Sequence, residues 1–123
     1  MEQKKQLALD AVDRIAEAFW QLSDAVWDHP EVNFAEHFAA GEQAALMEKL
    51  GFTIERNLAG LPTAFSATFG SGKPIIGFMG EFDALAGLSQ EAGVGEKKPV
   101  QEGAPGHEGG YVCPIPKNVK PPM

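Results

Sequence analysis

The chain has 123 residues, 44% of them hydrophobic and 22% charged, a balance that suits one soluble domain with a modest core. Ten Lys and Arg against 17 Asp and Glu give a formal charge of −7. Residues 91–123 hold four Lys and four Glu, so all the excess acid falls in residues 1–90. A surface of that sign repels phosphate backbones and anionic lipid, which argues against nucleic acid and membrane partners and leaves small molecules or proteins.

The single cysteine, Cys113, allows no internal disulfide and points to a reducing, cytoplasmic setting. Lys4 and Lys5 precede only Leu7 to Leu9 before Asp10 and Asp13 interrupt, too short an apolar run for a signal-peptide core or a membrane span.

Ala8, Val12, Ile15, Phe19, Leu22 and Val26 recur at spacings of four, three, four, three and four, which predicts a helix over residues 3–28 with one apolar stripe. Trp20 and Trp27 flank the stripe. Pro30 ends the helix, because proline disfavours helical geometry at His29, and Asp28 to Glu31 reads as a turn. A second helix is expected from Ala35 to Leu50, rich in Ala, Leu and Met, with Gly51 as its stop and Gly41 as a weak point. There is no internal repeat and no heptad run long enough for a coiled coil.

The period then changes. Phe52, Ile54 and Arg56 alternate with Thr53, Glu55 and Asn57, and Phe65, Ala67 and Phe69 alternate with Ser66 and Thr68. Two half-buried strands follow, joined through Leu58 to Pro62. Gly70-Ser71-Gly72-Lys73 leads into a third expected strand, Ile75 to Met79, apolar on both faces as a central sheet strand would be. Residues 91–123 hold six of the nine prolines and six of the fourteen glycines and form no packed element by composition.

Gly70-Ser71-Gly72-Lys73 is not a phosphate loop, since Pro74 and a strand follow where that motif requires Ser or Thr and a helix; it reads as a turn. Glu81-Phe82-Asp83 places two carboxylates at the end of the third strand, where they can ligate a cation or simply meet solvent. Of the three histidines, His29 and His37 fit surface or capping positions. His107 sits in a Gly-rich loop, where it is either a metal ligand or a solvated side chain.

Four stretches carry a family resemblance: Trp27-Asp28-His29-Pro30-Glu31-Val32-Asn33-Phe34, Leu58-Ala59-Gly60-Leu61-Pro62-Thr63-Ala64-Phe65, Gly80 to Gln90, and Gly103-Ala104-Pro105-Gly106-His107. Together they resemble the front part of the amidohydrolase branch of the aminoacylase and carboxypeptidase G metallohydrolase family. The resemblance implies an α/β fold: two N-terminal helices followed by about three strands, an incomplete front portion of a metallopeptidase-like catalytic domain over residues 1–90, and an irregular Gly/Pro-rich tail over 91–123.

It also implies a centre of divalent metal, zinc or manganese, that hydrolyses the amide bond of N-acyl or N-aroyl amino acids of the p-aminobenzoyl-glutamate type. On this resemblance Asp83 is the candidate catalytic residue and a metal ligand. Glu81 stands at the position of a metal-binding histidine in relatives with a His-x-Asp motif, and His107 opens the later Gly-His-Gly-Cys-Gly-His-Asn motif.

The chain departs from that motif directly after His107. Gly109 stands where the ligand cysteine belongs, Tyr111 where the ligand histidine belongs, and Cys113 is four positions late. The general-base glutamate and remaining ligands of the family would lie further along than Met123. A metal held by Asp83 alone is weakly bound, so no useful hydrolysis is expected. A third strand built for two neighbours is expected to expose a sheet edge that favours self-association or pairing with another chain. Two other readings stand beside the enzyme: a non-catalytic interaction module, and the product of a decayed or frame-disrupted gene.

Overall fold

The computed structural model describes residues 1–107; Gly109, Tyr111 and Cys113 lie outside them. The first helix, α1, runs Glu2–Asp28. Its end follows from Pro30. The chain turns at His29, whose amide donates to the Val26 carbonyl at 3.2 Å while its Nδ1 donates to the Ala25 carbonyl at 2.9 Å. Those bonds occupy carbonyls that a helix terminus leaves without intrahelical partners. No residue of α1 is buried, and Leu7, Leu9 and Val12 are at least half exposed. Among the described residues no helix is long and apolar enough to cross a membrane.

The second helix, α2, spans His37–Lys49 and starts two residues later than its composition predicts. The delay has a local cause. Phe34 takes a left-handed φ of 66° and Glu36 a ψ of 50°, neither of which continues into a helix. Left-handed backbone costs an aromatic residue roughly 1 kcal/mol, and here it is offset by hydrogen bonds that the turn allows. The Glu36 carboxylate accepts from the Thr63 hydroxyl at 2.8 Å.

Glu36 occupies the N-cap position without capping α2 through its side chain. Glu31 does so from six residues away. Its Oε1 accepts the Phe38 amide and its Oε2 the Ala39 amide, each at 3.0 Å, which satisfies two first-turn donors and places a negative charge at the positive end of the helix dipole. The ring of His29 stacks on Phe38 with centroids 4.1 Å apart, tying the end of α1 to the start of α2.

Gly41 stays inside α2, where the buried residues are Ala39, Ala40 and Ala44. With Ala84 they make up the buried apolar core of the described residues, which is formed of small side chains that let backbones come close. At its C-terminus Gly51 adopts φ 90°, its amide donating to Glu48 and that of Phe52 to Met47, both at 3.0 Å. This is the paired closure that glycine favours after a helix.

Strands β1, Thr53–Arg56, and β2, Phe65–Thr68, pair antiparallel with Ile54 opposite Ala67 and Arg56 opposite Phe65. Both strands were expected, and so was their connection through residues 58–62. The connection folds as a tight turn with Asn57 and Ala59 left-handed and the Leu58 amide donating to Ala64 at 3.2 Å. Phe52 and Phe69 flank the sheet at 5.2 Å, and Arg56 meets Glu48 of α2 at 3.6 Å in an exposed pair worth little.

The expected third strand is not formed. The sheet has two strands, and Ile75, Ile76, Phe78 and Met79 are 74% to 96% exposed. A strand apolar on both faces is stable only with layers above and below it, and no described element supplies them. The fold is therefore mixed α/β, with α2 between α1 and a small antiparallel sheet.

Burial raises the proton affinity of the Glu36 carboxyl, and the hydrogen bonds from its own amide, Thr63 and Phe34, with the nearby His37 charge, outweigh that and hold it below the usual glutamate range. A depressed carboxyl contributes stability above its unfolded value and loses it as pH falls through its folded value. Denaturant titrations should therefore show stability falling as pH drops below about 4.5, and Glu36→Gln should be less stable at neutral pH with a flatter acid limb. An unchanged acid limb in Glu36→Gln would remove Glu36 from this role.

Candidate functional site

The segment carrying Glu81 and Asp83 is placed by backbone pairing on both of its sides. The Ala84 amide donates to the Glu31 carbonyl at 2.7 Å, making a parallel bridge between Val32 and Ala84. On the other side Leu85 and Gly106 exchange both bonds, at 2.8 and 3.0 Å, as an antiparallel bridge. Ser89 adds a bond to the Ala104 carbonyl at 3.0 Å. Three stretches far apart in sequence thus meet at residues 84 and 85.

Gly106 is required at that crossing. A Cβ at this position would collide with the Leu88 carbonyl, so backbone meets backbone with no room for a side chain. The closeness explains why a Gly-rich stretch inside a region expected to be irregular is nevertheless buried at Gly106.

His107 follows directly and lies half-buried against α1. Its Nε2 donates to the Val26 carbonyl at 3.0 Å, and its ring sits 6.4 Å from that of Trp27. The last turn of α1 contains no basic residue, so His29 and His107 together supply donors to its terminal carbonyls. Holding Nε2–H on a carbonyl leaves Nδ1 as the nitrogen that can face a ligand.

A cleft of about 350 Å³ opens beside His107. Phe19, Leu22, Val26, Trp27 and Phe82 give it apolar walls, and Glu81, His107 and Gln43 bring polar groups to it. The structure therefore brings Glu81 and His107 to one cleft, with a carboxylate and an imidazole available for proton transfer or for binding a polar group. Asp83 is half-buried and does not line the cleft. Neither Glu81 nor Asp83 makes a hydrogen bond or ion pair with any described residue.

These residues do not compose a metal centre by themselves. Among the described residues no three His, Cys, Asp or Glu side chains converge closely enough to hold an ion, and no buried side-chain nitrogen or oxygen lacks a hydrogen-bond partner. A catalytic metal site needs three protein ligands and an open position, and that set is not assembled here.

Sequence reasoning missed Glu31, Thr63 and the close approach at Gly106. One signal pointed to the first: α2 begins without Ser, Thr, Asp or Asn at its N-cap, so its first amides need an acceptor from elsewhere.

No family model matches the chain. One subunit of the p-aminobenzoyl-glutamate hydrolase of Escherichia coli (strain K12) is 44% identical over 102 residues, covering 83% of this chain and 21% of that protein. A match of 102 residues in a chain of 123 has no placement that omits residues 22–102, so the capping glutamate, both strands and the Gly80 to Gln90 block all fall within it. The chain resembles aminobenzoyl-glutamate utilization protein B. The Xaa-Arg dipeptidase of Mus musculus is 32% identical over 104 residues, covering 76% of this chain and 24% of that protein. The chain thus spans about a fifth of the bacterial relative and about a quarter of the dipeptidase. Both relatives are named for hydrolysis.

Gly106→Ala should break the crossing while α2 stays formed. Amide hydrogen exchange is expected to show protection lost at Leu85, Ser89 and Gly106 while α2 amides keep theirs. Equal protection in the variant would mean that the backbone there tolerates a side chain and that the close approach does not hold.

Proposed function

We propose that this chain is the front portion of a metal-dependent amidohydrolase acting on the amide bond of N-acyl or N-aroyl amino acids, p-aminobenzoyl-glutamate being the nearest substrate type. The observation that carries the reading is the 44% identity to the Escherichia coli p-aminobenzoyl-glutamate hydrolase relative across a span that must contain Gly80 to Gln90. The dipeptidase relative supports the same bond class, since a dipeptide also presents an amide next to a carboxylate.

In this reading Asp83 is the catalytic metal ligand by resemblance, while Glu81 and His107 are candidate ligands in a cleft that Asp83 does not line. A zinc or manganese ion, when bound, would polarise the scissile carbonyl and supply an activated water. What these residues themselves provide is narrower. Glu81 brings a carboxylate to an apolar cleft, His107 is oriented by its bond to Val26, and the walls of Phe19, Trp27 and Phe82 exclude water from one side. Two ligands do not make a catalytic centre, and residues 1–107 are proposed to sustain no turnover without further ligands.

The exposed run 75–79 supports the same reading. Four large exposed apolar side chains fit a segment that takes its neighbours from a larger sheet, and this agrees with a chain that spans about a fifth of its bacterial hydrolase relative. The lone Cys113 is in keeping with a cytoplasmic setting.

The purified chain, incubated with zinc or manganese and p-aminobenzoyl-glutamate, should release no p-aminobenzoate above the metal-only rate. Release that a chelator abolishes and that Asp83→Ala removes would contradict the proposed lack of turnover, while showing the substrate class to be right.

A further inference from the structure

The unabsorbed feature of this molecule is α1. At 27 residues it is about 40 Å long, yet none of its residues is buried and its N-terminal half bears Leu7, Leu9 and Val12 at 50% to 60% exposure. Its stripe of Ala8, Val12, Ile15, Phe19, Leu22 and Val26 alternates steps of four and three, the spacing that keeps one seam facing a second helix. Ala11, Ala16, Ala18 and Ala25 flank that seam, and small side chains there let another backbone approach closely.

The stripe runs from the uncovered half of the helix straight into the open cleft, since Phe19, Leu22 and Val26 are cleft walls. One end of the seam is therefore a protruding ridge and the other a receptive groove on the same molecule. Charge follows the same polarity: residues 2–14 carry three acids balanced by Lys4, Lys5 and Arg14, whereas residues 15–28 carry Glu17, Asp24 and Asp28 with no base, and the cleft adds Glu81. Glu81 makes no bond to any described residue, so its carboxylate is available to a cation.

We propose that a second copy of this chain occupies the cleft, the two α1 helices packing antiparallel about a two-fold axis. Each copy lays its Lys5 and Ala8 turns into the groove of the other. Val12 then faces Ile15, Ala8 faces Phe19, and Lys5 reaches the cleft beside Leu22 and Glu81. An antiparallel two-fold pairs ridge with groove twice over and sets opposite ends of the helix dipoles side by side, whereas a parallel pair would bring Lys4 and Lys5 against their own copies. The seam alone is short for a coiled coil, and the cleft walls supply the additional apolar surface. The dimer needs neither Asp83 nor a metal, but it uses the cleft and the Glu81 of the proposed function, so a cleft filled in this way is closed to a ligand.

Sedimentation velocity of the whole 123-residue chain should show a monomer–dimer equilibrium with dimer dominant by about 100 μM. Val12→Asp puts an unpaired charge in the seam and should weaken the dimer roughly a hundredfold, with the far-UV spectrum unchanged because Val12 is exposed in the monomer. Lys5→Glu should weaken it roughly threefold to tenfold, and adding Glu81→Lys should restore it. A wild-type monomer throughout the range would overturn the proposal. So would a dimer indifferent to Val12→Asp and abolished by Ile76→Asp, which would assign association to the exposed run 75–79. Lys5→Glu with no effect, or no restoration by Glu81→Lys, would overturn the antiparallel arrangement.

Discussion

Glu31 is the residue on which the arrangement of this chain turns. Its side chain receives the Phe38 and Ala39 amides at the start of α2, and its main-chain carbonyl receives the Ala84 amide. One residue in a turn therefore fixes the start of a helix and the position of the segment that carries Glu81 and Asp83. Hydrogen bonds to a charged acceptor contribute roughly 1.5–3 kcal/mol each, more than neutral ones, so this joint outweighs the exposed ion pairs at Arg56 and Lys98. Glu36 makes a second joint of the same kind, tying the α1–α2 turn to Thr63 in the hairpin loop.

With those joints in place, the helices and the hairpin converge on a thin core of Ala39, Ala40, Ala44 and Ala84. Small residues allow close backbone approach and contribute little apolar area, so the large side chains that would build a thicker core stay at the surface. The exposed stripe of α1 and the exposed run 75–79 have one origin: each is patterned for burial, and neither meets a partner among the described residues. Resemblance to a hydrolase of which this chain spans about a fifth is in keeping with both.

How far the sequence led depends on the range of the interaction. Helix α1 and its end before Pro30, the places of β1 and β2, and the Gly51 stop were all legible, because each rests on neighbours within a few residues: a period of 3.6 or 2, a missing amide, a left-handed glycine. Helix α2 started late because Phe34 and Glu36 take backbone angles that do not continue into a helix, a choice that composition does not encode. The third strand was misread for a different reason. Its apolar pattern was correct for a buried strand, but burial needs layers that the described residues do not provide. Glu81 and His107 were singled out by motif alone, and their meeting in one cleft depends on the crossing at Leu85 and Gly106, which joins residues more than twenty apart. The assignment of Asp83, which stands outside the cleft, continues to rest on the resemblance.

The central claim is that Glu31 couples the helix to the site segment, and residue-resolved hydrogen exchange of Glu31→Ala tests it. Loss of the cap should expose the Phe38 and Ala39 amides, and because it also frees the turn whose main-chain carbonyl holds Ala84, protection at Ala84 and Leu85 should fall as well. Protection lost at α2 alone, with Ala84 and Leu85 unchanged, would show that the two contacts of Glu31 are independent and would contradict the account.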